Sequence, residues 1–380
     1  MLLDGAALFS KGRAAQDLPG GRRLMAISDQ TTIKVALIEG VKRHQVMFGV
    51  MVAYWGLCFS LGVFYDRQIN PLLYAPVFAL MFVLIGFFHG AKSSMTLVRQ
   101  PGVSFDGKAL YTDLRARFRL SGSVEGLLVM TGFCITISLF QSVKAVIPVI
   151  KPFAYDARFA EMDRVIHGGF YPHELLQPLM GYPLVTFAVL ILYNLWLPLV
   201  FVVFISQVLD RSDPVLRQRY LLSFALGWIL IGTIGAVALS SAGPAYYARV
   251  LDLAPGTGPY AGLVAYYGAA ANVVPLFLTD MHEMLWGIFE SGVLQPGAGI
   301  SAMPSVHVAL ATHMFLVARH KGRKRAWVFG IYACVILVGS VHLGWHYAVD
   351  GYLGGALMAL IWWLSGLVSR PFDHDQGALG

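Results

Sequence analysis

The chain has 380 residues, 57% of them apolar and only 13% charged, with a formal net charge of +7. That composition excludes an ordinary soluble domain, because the apolar residues gather in runs of about 20, the length that crosses a hydrocarbon core as a helix. The positive charge could suit nucleic acid, but it falls between the apolar runs, where it reads as a topology signal, and no nucleic-acid partner is expected.

Residues 1–45 are mixed and polar, broken at Pro19-Gly20-Gly21. They contain no short apolar core with a small-residue cleavage site, so no signal peptide is expected, and 31–46 reads as an amphipathic surface helix. Eight membrane spans are predicted, over 46–65, 71–90, 125–146, 184–207, 220–241, 303–319, 326–345 and 348–368. The segment 91–124 carries Lys108, Arg115, Arg117 and Arg119, and the arginines suit contact with anionic lipid. Two long connections, 147–183 and 242–302, hold helix-like pieces at 156–167 and 279–291 that are expected to lie at the membrane interface. Cys58, Cys134 and Cys334 each sit inside an apolar run, which predicts small buried side chains and neither a disulfide nor a thiolate metal site.

The basic residues set an orientation. With the N-terminus in the cytoplasm, 22 of the 28 lysines and arginines fall in inner segments and 6 in outer ones. Both termini are then cytoplasmic, and the run Lys321–Arg325 is a topology determinant. This alternation places Pro304-Ser305-Val306-His307 and His346-Tyr347-Ala348-Val349-Asp350 at the outer ends of their spans.

His342, His346 and Asp350 are spaced i, i+4, i+8, so a continuous helix would present all three on one face. An aspartate one turn from a histidine accepts the imidazole N–H and fixes its tautomer, which leaves the other nitrogen free as nucleophile or base. Proline at the first turn of a helix costs no hydrogen bond. The free amides there, with the Ser305 hydroxyl, form a ready anion site, and His307 one turn in can serve as an acid. His342 is a candidate for the same site or for a hydrogen bond within the bundle. His313, six residues past His307, points elsewhere and is expected to be packed between helices.

These two blocks resemble the type 2 phosphatidic acid phosphatase (PAP2) superfamily. More narrowly, Ala302-Met303-Pro304-Ser305-Val306-His307 and His346-Tyr347-Ala348-Val349-Asp350 resemble its inositol phosphorylceramide synthase branch. The resemblance implies an all-α polytopic fold in which 125–368 is a six-helix catalytic core. Residues 1–45 would be a cytoplasmic segment, 46–124 two additional transmembrane helices with a basic cytoplasmic loop, and 369–380 a cytoplasmic tail. It also implies that His346 attacks phosphorus to give a phosphohistidine, Asp350 orients it, His307 protonates the leaving oxygen and Ser305 helps hold the phosphate, with no cofactor or metal.

The family's first basic block is not visible. In its place stands Ser241-Ala242-Gly243-Pro244-Ala245-Tyr246-Tyr247-Ala248-Arg249, from which Arg249 is the candidate phosphate clamp, with an interfacial anchor as its alternative, and Tyr247 a further substrate contact. Ser340 stands where an arginine is expected six residues before the nucleophile. With so few cations the pattern tilts toward transfer of a phospho-headgroup to a polyol or sugar alcohol, with hydrolysis of a lipid phosphate as the alternative. Asp163, Arg164, His167, Asp280, His282 and Glu283 could read the acceptor headgroup, against solvated or salt-bridged surface roles. A zinc-dependent intramembrane hydrolase using His307, His342, His346 and Asp350 is the metal alternative, and a transporter or scaffold the non-enzymatic one. The absence of any Asn-x-Ser/Thr sequon favours a bacterial inner membrane.

Overall fold

The structure, a computed structural model, describes residues 33–99, 107, 111, 120–297 and 299–369. The polar tract before residue 33, Lys108 and Arg115–Arg119 of the basic loop, and the tail from residue 370 lie outside them. The described residues are helical, with no strand among them. Among the described residues seven helices are long and apolar enough to cross a membrane. The eighth predicted span forms a helix of 15 residues, Val306–His320.

In chain order the elements are α1 (Gln45–Phe64), α2 (Ala75–Val98), α3 (Leu120–Ile150), α4 (Asp156–Ile166), α5 (Pro172–Met180), α6 (Pro183–Asn194) and α7 (Trp196–Leu209). Next come α8 (Pro214–Leu226), which continues as a π-helical segment Gly227–Gly235, and α9 (Ala261–Ala271), α10 (Leu278–Ser291), α11 (Val306–His320), α12 (Arg323–His342) and α13 (Ala348–Ser369). The chain divides into two compact units, residues 1–45 with 80–131, and residues 46–79 with 132–380. In the first, Glu125 is held by His44 at 3.0 Å and Arg43 at 3.2 Å. The second carries both histidine blocks.

The single span predicted over 184–207 is two helices meeting at Leu195. Pro198 explains the joint: a proline lacks the amide hydrogen and its ring crowds the carbonyl four residues back, here that of Asn194. Tyr193, Asn194 and Trp196 are thereby gathered at one bend. The next span changes from α to π winding at Gly227, a local widening that often marks a functional stretch.

Helix α11 is the hub of the second unit, packing against α12, α13, α7 and the π segment. At about 1.5 Å per residue it is roughly 22 Å long, short of a full crossing. The non-helical stretch before it is buried, with Ile300, Ala302, Met303 and Ser305 all nearly inaccessible. Irregular backbone within a membrane needs protein partners for its polar groups. Here the amide of Ala302 donates to the Ser241 carbonyl, that of Met303 to the Ser241 hydroxyl and that of Ser305 to the Asp350 carbonyl. Away from this end, Phe133, Phe204 and Phe224 form a three-ring cluster with centroids 4.8–5.3 Å apart. His313 is packed as expected, stacked on Tyr220 and hydrogen-bonded to the Ser223 hydroxyl at 2.8 Å. Of the cysteines, Cys58 and Cys134 are buried, but Cys334 is exposed on α12, so its apolar run did not fix its burial.

Candidate active site

Helix α12 ends at His342, and Gly344 at φ +72° turns the chain before α13 begins at Ala348. His342, His346 and Asp350 are therefore not on one helix, and the common face expected for them is broken by the turn. His346 and Asp350 nevertheless meet: His346 Nδ1 lies 3.3 Å from Asp350 Oδ2. The same Oδ2 accepts the Tyr347 amide at 3.0 Å, so the carboxylate fixes both the turn and the ring. The other ring nitrogen, Nε2 of His346, lies 3.4 Å from Nδ1 of His307.

His307 is clamped from two sides, its ring 5.0 Å from that of Tyr193 and 4.2 Å from that of Trp196. The Trp196 indole N–H also donates to the His307 carbonyl at 2.9 Å. The Pro198 joint thus has a local consequence, because it sets the two aromatic walls that hold the imidazole. Both histidines line a cavity of about 400 Å³. Burial pushes His346 down to about 3, opposed by a hydrogen bond with the Ala302 carbonyl and reinforced by the charge of Lys144. The ring is neutral at physiological pH, and the tautomer with its one N–H turned to Asp350 leaves a lone pair on Nε2.

The turn carrying His346 is pinned from α4 by two carboxylates. Asp163 accepts the amides of Ala348 at 2.8 Å and Val349 at 2.9 Å, so it caps the start of α13 from outside the helix. Asp156 accepts the amide of Gly243 at 2.8 Å and the Tyr347 hydroxyl at 2.9 Å, and the Ala242 amide reaches both its oxygens. Burial pushes both carboxyls above the usual carboxylate range, and these hydrogen bonds pull them back. Asp163 is thus a buried structural acceptor, correcting the surface role weighed for it. Asp156–Ile166 forms the predicted helix, but with Asp156 and Asp163 turned into protein while Glu161 stays exposed.

The stretch 241–245 is a tie between the two blocks. Besides the Ser241 contacts, the Ala245 amide donates to the Gly344 carbonyl. Gly243 has φ +100°, and a Cβ there would meet the Trp345 carbonyl oxygen at 2.6 Å, so glycine is required on both counts.

Several predicted contacts are placed elsewhere. Arg249 pairs with Glu283 and lies over the Trp286 ring, away from the cavity lining, so the clamp expected of it is occupied by a salt bridge. Tyr247 packs against Tyr260, and its neighbour Tyr246 lines the cavity in its place. Ser305 is fully buried, and its hydroxyl accepts the Val308 amide at 3.3 Å as the N-cap of α11. Pro304 accordingly precedes the cap instead of occupying the first helical turn. His342 Nε2 bonds the Thr186 hydroxyl at 2.9 Å, the intrabundle role, which removes it from a shared metal site with His346. Among the described residues no group of three or more His, Cys, Asp or Glu side chains could hold a metal ion.

Of the remaining loop residues, Arg164 pairs with Glu161 on the surface, and His167 bonds the Asp163 carbonyl and the Tyr352 hydroxyl. His282 is buried against Trp345, with ring centroids 4.3 Å apart, and Asp280 is exposed. Sequence reasoning missed Lys144, which entered it only as one of the six outer lysines and arginines. Its side chain lines the cavity from α3, on the face that also presents Ile137, Phe140 and Gln141. The i, i+3, i+4, i+7 spacing of those four was the available signal.

A family model described as the PAP2 superfamily matches residues 157–364. Comparison with curated proteins and with solved structures returned no match.

Proposed function

The chain belongs to the PAP2 superfamily, and from that premise we propose that it is a membrane enzyme working on a lipid phosphate ester through a phosphohistidine. The observation that carries this is the position of His346, between a buried carboxylate on one nitrogen and His307 beside the other. Nε2 of His346 attacks phosphorus while the P–O bond to the leaving lipid alkoxide breaks. Asp350 stabilises the charge that develops on the ring, in the manner of the carboxylate of a catalytic triad. His307 delivers a proton to the departing oxygen, and the bound phosphate anion supports the imidazolium needed for that step. An acceptor hydroxyl then attacks phosphorus from the opened side while His307 takes its proton, the P–N bond breaks and both histidines are restored.

The acceptor we favour is a polyol or sugar alcohol; the two blocks resemble the inositol phosphorylceramide synthase branch, which supports transfer of a phospho-headgroup. Water as acceptor gives the hydrolase alternative. The active end faces away from the cytoplasm, with both termini inside, in a bacterial inner membrane. The reaction needs no metal, so chelator leaves the rate unchanged.

Incubation with a lipid labelled in its phosphate should put acid-labile label on wild-type protein and none on His346→Ala. That variant and His307→Ala should each lose turnover by on the order of a thousandfold or more, while inserting and purifying as the wild type does. Absence of label with full activity in His346→Ala would remove the phosphohistidine. Release of only the water-derived product, free phosphate or the phosphorylated headgroup, in the presence of polyols would replace transferase by hydrolase.

A further inference from the structure

Helix α10 borders the cavity with a divided surface. Met281 and Leu285, one turn apart, line the cavity, while Glu283 and Glu290 are exposed on the opposite side. Carboxylates on the outside of a membrane protein belong to its aqueous side, since lipid would leave them unsolvated. The helix therefore stands between the cavity and water, and the two side chains it turns inward are poor hydrogen-bond partners for water.

Its attachment to the site runs through His282. That ring is only 6% exposed, packs edge-on against Trp345 with centroids 4.3 Å apart and hydrogen-bonds the Leu343 carbonyl. Leu343 and Trp345 belong to the turn that carries His346. The His282 carbonyl accepts the Tyr246 hydroxyl at 3.1 Å, and the Tyr246 ring lies 5.2 Å from that of Trp286, one turn further along α10. Burial pushes His282 down to about 4, opposed by the Leu343 carbonyl, so the ring is neutral and its one N–H is committed to that carbonyl. The Arg249–Glu283 pair ties the outer face of α10 to the same stretch of chain, but both partners are exposed and such pairs hold little.

We propose that α10 is a water-excluding roof and that His282 is the positioning residue that holds it, so that an acceptor hydroxyl takes the phosphoryl group in preference to water. Both outcomes start from the phosphohistidine. The incoming oxygen bonds to phosphorus, the P–N bond breaks and the proton of that O–H passes to His307. Transfer and hydrolysis differ only in which O–H is present, and closing a site against bulk water suppresses hydrolysis of a reactive intermediate. A bound polyol fills the space that water would need. The inference rests on the phosphohistidine reading and deepens it by assigning what decides between transferase and hydrolase.

Two measures of water access test this. In the first, Leu285→Cys on the cavity side and Gly287→Cys on the exposed side, where a Cβ meets nothing within 4 Å, are treated with a charged, membrane-impermeant thiol reagent. Both carry Cys334→Ser, Cys58 and Cys134 being buried. Leu285→Cys should react about tenfold more slowly than Gly287→Cys, and adding His282→Ala should remove most of that difference without changing Gly287→Cys. His282→Gln, which keeps an N–H for the Leu343 carbonyl, should leave the rate at Leu285→Cys within about threefold. In the second, protein labelled from phosphatidylglycerol carrying labelled phosphate is chased in acceptor-free buffer. His282→Ala should lose its acid-labile label about tenfold faster than the wild type. Damaged packing alone slows the chemistry, so a rate that rises marks the loss of the roof. Equal reactivity of Leu285→Cys and Gly287→Cys in otherwise wild-type protein would overturn the roof, with no His282 variant needed. Unchanged reactivity of Leu285→Cys after His282→Ala would overturn the anchor, and unchanged label loss once that cysteine is accessible would overturn control over the acceptor. Absence of label on the wild type would instead remove the phosphohistidine and with it the choice of acceptor, while the cysteine rates still decide the roof.

Discussion

The two imidazoles depend on different neighbours, and each dependence can be read separately. Asp350 is fully buried and bonds both the His346 ring and the Tyr347 amide. Asp350→Asn should keep the fold yet present an amide that can hold the wrong tautomer, with turnover down by on the order of a thousandfold. Full activity in that variant would end the orienting role. His346 is held down to about 3 by burial, so as pH falls it stays neutral until well below the ordinary histidine range. The acid limb of kcat/KM should therefore lie below about pH 5, and a limb near 6.5 would mean that the ring is solvated in the working enzyme. At this scale the sequence was informative where chemistry repeats a spacing. His307, His346 and Asp350 could be named from two short blocks. Lys144 was not, because a lysine near the end of an apolar run looks the same whether it reaches a headgroup or a cavity, and only its helical spacing with Ile137, Phe140 and Gln141 pointed to a shared face.

Helix termini account for much of how the site is held. Ser305 caps α11 and Asp163 caps α13, the first with its own hydroxyl and the second from a separate helix. Ser305→Ala should cost about 1 kcal/mol of stability and change kcat/KM by less than about tenfold. A loss nearer a hundredfold at unchanged stability would return the hydroxyl to the phosphate. Asp163→Ala leaves two buried amides without an acceptor and should cost about 2 kcal/mol or more, read as a lower melting temperature in detergent. It should also reduce kcat, because the turn that carries His346 loses an anchor. The helix around Asp163 was legible from its amphipathic pattern, but the direction of its acidic face was not. An aspartate on an interfacial helix reads as solvated until the chain that returns to it is known. The joint at Leu195 was hidden for a related reason, since hydropathy counts apolar residues and passes over one proline among them.

Across the whole molecule, length and hydropathy gave the helical membrane fold and seven of the eight spans in recognisable form. The last was recovered as a short helix plus a buried extended leg, whose backbone is satisfied by residues more than 40 positions away in sequence. No periodicity announces such a leg, because its partners are long-range. Orientation has its own test: reporters fused at either terminus should be active only on the cytoplasmic side, and a reporter in 252–258 only on the opposite side. A periplasmic terminus would reverse the assignment of the active end. Asp163 grips the start of α13 through main-chain amides, which every residue but proline supplies. Positions 348 and 349 are thus chemically interchangeable within the bulk their burial allows, and the nucleophile's geometry is insulated from their identity. Tolerance of substitution should accordingly be broad at these two sites beside the reacting ring, with proline as the disruptive replacement at either.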